Sequence, residues 1–60
     1  MARIKAFDKE GKMIADISTS DLITAISKSF ELAVTLGCYK PSFNTGTYEC
    51  ANGRLEISLD

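Results

Sequence analysis

Residues 18–37 read STSDLITAISKSFELAVTLG, and how this segment folds decides the architecture of the chain. Leu22, Ile23, Ile26, Phe30, Ala33 and Val34 recur at helical intervals and line one broad apolar stripe. Ser18 followed by Asp21 resembles a capping box with aspartate in place of glutamate, and Ser20 is a rival N-cap. Gly37 suits the left-handed residue that ends a helix. Ala25, Leu32 and Leu36 extend the stripe on one flank, so the apolar arc reaches roughly 200°, wider than a helix on a single sheet needs. The flank Ala25, Ser29, Leu32 and Leu36 contains small residues that would let a second helix approach. It is the expected interface of a homodimer or larger homo-oligomer. The competing reading folds residues 38–46 over this flank within one chain. Sixty residues lie near the lower size at which a chain folds alone, which favours self-association.

A hairpin is expected on each side of the helix. The first is ARIKAF, DKEG, KMIADI, with a four-residue loop ending in Gly11. That register sets Ala6 opposite Met13, Ile4 opposite Ala15 and Ala2 opposite Ile17, with Arg3, Lys5 and Phe7 on the other face. A shorter KEG loop would mix the faces, because a one-residue slip reverses every side chain. The second is GTYECA, NG, RLEISL, in which Asn52-Gly53 signals a two-residue type I′ turn. Its register pairs Cys50 with Leu55, Glu49 with Glu56 and Tyr48 with Ile57, and makes Tyr48, Cys50, Leu55, Ile57 and Leu59 core. The expected fold is α+β, ββαββ: a four-stranded, antiparallel-rich sheet from two hairpins, one helix on one face, and a single domain over residues 1–60. Strand order is not readable.

Composition narrows the functions. The chain is 45% hydrophobic and 25% charged, which argues against disorder. No run approaches the roughly 18 apolar residues of a membrane span, and the N-terminus lacks a secretion signal, so a soluble cytoplasmic protein is expected. A net charge of −1 without a one-sign block disfavours nucleic acid. There is no histidine and no CxxC, which removes the commonest metal ligands and the commonest general base. No catalytic residue, cofactor or metal site is assigned, and the expected protein is not an enzyme.

Three surfaces are candidates for recognition. Arg3, Lys5 and Phe7 share the outer face of the first hairpin, where basic and aromatic anchors suit a protein partner. In the loop, Tyr39 and Phe43 offer rings, while Lys40, Asn44 and Thr45 offer donors for a partner or a small anionic ligand. Inward plugging of the core by Tyr39 and Phe43 is the plainer alternative. Glu49 facing Glu56 would be a like-charge pair awaiting a cation or a basic partner surface, or two exposed carboxylates relieved by Arg54 and solvent. Cys38 and Cys50 bracket the loop. Without a secretion signal they are expected to stay reduced, although proximity allows a disulfide.

The leading expectation is a small homo-oligomer that inhibits or regulates a larger protein by contact. In size and economy it is similar in kind to regulators encoded by bacteriophages and other mobile elements, with no shared motif. The alternative is a homo-oligomer that holds a small anionic ligand such as a nucleotide through residues 38–46 at a subunit interface.

Overall fold

The computed structural model describes residues 1–39 and 44–59. Strands β1 (Ala2–Asp8) and β2 (Met13–Thr19) precede helix α1 (Leu22–Leu36), which is followed by β3 (Gly46–Cys50) and β4 (Gly53–Leu59). All pairings are antiparallel and the sheet order is β2-β1-β4-β3, so the first and last strands are the central pair. This is the expected ββαββ fold. The helix lies on one face, chiefly over β1, β4 and β2.

The faces of β1 follow the sequence pattern. Ala2, Ile4 and Ala6 are buried and meet Leu59, Ile57 and Leu55 across the central pair. The turn does not follow it. Asp8 N–H bonds the Lys12 carbonyl, Gly11 N–H bonds the Asp8 carbonyl, and Gly11 has φ 83°. The loop is therefore the three-residue KEG with glycine in the left-handed position. Asp8 fixes it by accepting from Glu10 N–H and Lys12 N–H, both at 2.9 Å. This loop would mix the faces, but the register shifts after Phe7↔Met13 so that Ala6 meets Ala15 and Ile4 meets Ile17. Ile14 is the extra residue, a bulge that restores the alternation. Met13 consequently stands beside Phe7 on the outer face, and the expected Ala6–Met13 pair does not form.

The second hairpin also slips by two residues. Cys50 pairs with Gly53, Glu49 with Arg54 and Tyr48 with Leu55, so the loop is Ala51-Asn52. Neither loop residue has positive φ, so the expected type I′ turn does not form. The reason lies in the helix end. Gly37 N–H reaches Val34 O and Cys38 N–H reaches Ala33 O, a Schellman ending with Gly37 at φ 71°. Asn52 N–H then donates to Leu36 O at 2.8 Å and Ala51 N–H to Gly37 O at 3.4 Å. The turn uses its own donors on carbonyls that the helix leaves open. A two-residue slip keeps every side chain on its face, so Leu55 and Ile57 are buried as expected. Leu59, expected in the core, is half-exposed.

At the helix start, Asp21 is the N-cap, accepting from Ile23 N–H at 3.2 Å and from the Thr24 hydroxyl at 2.6 Å. Ser18 cannot cap because β2 continues through Thr19, with Ser18 paired to Arg3.

The helix is turned relative to the expected packing. Ala25, Ser29, Ala33 and Leu36 are buried, and Leu32 packs half-buried against the core. Leu22, Ile23, Ile26, Phe30 and Val34 are exposed. The expected oligomer flank is thus the sheet-facing side. The physical cause is size. The sheet presents Ile4, Leu55, Ile57 and Ile17, and small helix residues let the helix backbone come close to them. Ser29 tolerates burial because its hydroxyl donates to the Ile26 carbonyl at 2.9 Å. Ala25, Ser29 and Leu36 are 0–2% exposed in a single chain and are spent on its own core.

Candidate functional site

The open face of the sheet, opposite the helix, brings Arg3, Lys5 and Phe7 together with residues from every other strand. Three rows cross it. Ser18, Arg3 and Ser58 form one; Asp16, Lys5, Glu56 and Thr47 form the next; Met13, Phe7, Arg54 and Glu49 form the third. Arg54 lies over the Phe7 ring at 4.3 Å from its centroid, a cation–π contact. Its Nε also donates to Glu56 Oε2 at 3.0 Å. The guanidinium is therefore fixed between an aromatic face and a carboxylate, with Glu49 directly across the ladder.

Arg3 grips Asp16 with two bonds, Nε to Oδ1 at 3.1 Å and Nη2 to Oδ2 at 2.9 Å. The hydrogen bond from Arg3, helped by the charges of Arg3 and Lys5, holds the Asp16 carboxyl below its ordinary value. The sign is that of a depressed acid: the pair's contribution is present above the ordinary carboxylate range and is lost as pH falls through the lowered value. An NMR titration is expected to place Asp16 below the ordinary aspartate value, and Arg3→Gln to return it upward. An unchanged midpoint in that variant would contradict the assignment.

The face is electrostatically balanced. Arg3, Lys5 and Arg54 meet Asp16, Glu49 and Glu56. The expected Glu49–Glu56 opposition is absent, because the slipped register sets Glu49 against Arg54 and Glu56 between Lys5 and Thr47. Such a mosaic lacks the one-sign field that gathers phosphates. At the turn end of the sheet a shallow cleft of about 240 Å³ lies between Asp8, Lys9, Glu49 and Arg54.

The loop residues are separated from this face in the chain and are exposed where described: Tyr39 is 92% accessible, and Asn44 and Thr45 are exposed. The Asn44 carbonyl accepts from the Tyr48 hydroxyl at 2.6 Å, which ties the end of the loop to β3. Tyr39 does not plug the core. Lys40 and Phe43 lie outside the described residues.

Cys38 and Cys50 form a disulfide with Cα atoms 4.4 Å apart, where the sequence favoured separate thiols. The Schellman ending and the turn-to-helix bonds bring these residues together, and neither is visible in composition. Among the described residues, no three His, Cys, Asp or Glu side chains gather as a metal site, and no helix is long and apolar enough to cross a membrane.

Sequence reasoning missed Met13, Arg54 and Glu49 as neighbours of Phe7. The β1–β4 pairing joins the two hairpins through strands far apart in the chain, and no local signal announces it. It also took Ile23, Ile26, Phe30 and Val34 for core, although their spacing was plain. Comparison with protein families, curated proteins and solved structures finds no match to the chain.

Proposed function

We propose that the chain is a non-enzymatic binding protein that regulates a larger protein by covering part of its surface with the open sheet face. The observation that carries this reading is the row Met13, Phe7, Arg54, Glu49, with the arginine held on the ring. Arginine, aromatic and methionine side chains are enriched where protein interfaces concentrate their energy. Here the arginine is already ordered, so docking costs less side-chain entropy. The surrounding matched charges favour a partner surface of mixed sign over a polyanion. Half-exposed Ile14, pushed out by the bulge, adds apolar area at the β2 edge.

The test compares capture from lysate of the source organism by the wild type and by Phe7→Ser with Arg54→Glu. A protein retained by the wild type is then purified and titrated by calorimetry. The expected result is a binary complex weakened at least 100-fold by the double substitution, the effect of losing two central anchors. Equal capture and affinity by both forms would overturn the reading.

A further inference from the structure

The exposed side of α1 is a second surface, unrelated to the open sheet face. Leu22, Ile26, Phe30 and Val34 fall at strict four-residue spacing, with Ile23 beside them, and each is 37–76% exposed. No charged residue interrupts this ridge. The Lys28–Glu31 ion pair lies on the polar back of the helix. The buried core, by contrast, is built largely from small residues. Among the described residues, four of its eight apolar members are alanines, Ala2, Ala6, Ala25 and Ala33. Ala25, Ser29, Ala33 and Leu36 of the helix face inward, while Leu22, Ile23, Ile26, Phe30 and Val34 stay outside.

We propose that this ridge is a homodimer interface, packed antiparallel against the same ridge of a second copy. Three observations select a second copy as the occupant. The first is self-complementarity. A two-fold axis between Ile26 and Phe30 maps the ridge onto itself, setting Ile26 of one copy beside Phe30 of the other, and Leu22 or Ile23 beside Val34. The second is geometry. Rows spaced by four residues interlock at a crossing of about −50°, the commonest helix packing in globular proteins. The third is area. The five exposed side chains offer on the order of 500 Å², at the upper end of what a monomer leaves bare. Two such patches bury about 1,000 Å², the lower bound of a stable interface.

The dimer joins the two copies through this ridge of their helices. It gives the large helix residues a core and leaves both open sheet faces outward. Loss of the dimer and loss of the partner face are therefore separate events, and either reading can fail alone.

The experiment is sedimentation equilibrium at tens of micromolar on three forms of the full chain. The wild type is expected at twice 6.5 kDa. Ile23→Glu and Val34→Lys are each expected at half the wild-type mass with unchanged circular dichroism, since both positions are about three-quarters exposed in one chain. Mixed in equal amounts, the two variants are expected to return to the dimer mass, because antiparallel packing brings Glu at 23 beside Lys at 34. A folded wild type at monomer mass would overturn the proposal, as would dimeric single variants. Failure of the mixture to recover would overturn the antiparallel arrangement.

Discussion

Reduction of the Cys38–Cys50 bond is expected to lower the melting temperature by roughly 12–24 °C. The bond spans a sequence separation of 12, and closing a loop of this size restricts the unfolded chain by about 3 kcal/mol. In a domain this small each kcal/mol corresponds to about 4–8 °C. The native side adds to the effect. The disulfide holds the helix end against the β3–β4 turn, where Asn52 and Ala51 donate to the last helix carbonyls. Freed of the bond, that junction rests on two backbone hydrogen bonds and the packing of Leu36. Calorimetric melting with and without reductant, repeated on Cys38→Ser with Cys50→Ser, checks this. A change of only a few degrees in both would contradict it. Disulfides persist in oxidising surroundings and are rare in the cytosol, so the bond also bears on where the chain works.

Gly53→Ala is expected to destabilise the fold by about 2–4 kcal/mol, at the severe end for one added methyl group. Gly53 has φ 154° and pairs with both Asp8 and Cys50, so it is locked into the sheet. A Cβ at this position would land on the Phe7 carbonyl oxygen and meet Leu36 Cδ2 at 2.9 Å. The carbonyl belongs to the central strand and cannot retreat without breaking the β1–β4 ladder. Gly11→Ala is the control. Its φ of 83° also favours glycine, but nothing lies within 4 Å, so only the backbone strain of about 1–2 kcal/mol is expected. Urea unfolding of both variants separates the two effects. Equal losses would mean that the close approach at Gly53 contributes nothing.

These two sites also show what could be read in advance. Alternation in β1 and β4 announced which side chains face inward, and a two-residue slip does not alter that. Both turns differ from the sequence reading, the first through local bonds that Asp8 accepts from Glu10 and Lys12, the second through a long-range contact. The β3–β4 turn answers the helix end, and the Ile14 bulge corrects a loop that would otherwise reverse β2. The Asn52-Gly53 signal marked a hairpin but not its register, because Asn52 is drawn to Leu36 O. On the helix, periodicity located the apolar arc but could not say which part meets the sheet. Hydrophobicity favoured Ile26 and Phe30; packing favoured Ala25, Ser29 and Ala33. The partner face was half legible: Arg3, Lys5 and Phe7 from β1, but not Arg54, which the β1–β4 pairing brings over Phe7.

Which side of α1 meets its own sheet decides both the core and the dimer interface. Isotope-filtered nuclear Overhauser spectroscopy on a mixture of labelled and unlabelled chains tests this most directly. The predicted spectrum has within-chain contacts from Ala25 and Leu36 to the sheet, and between-chain contacts joining Ile26 to Phe30. Between-chain contacts at Leu32 and Leu36, with Phe30 lying on its own sheet, would contradict it.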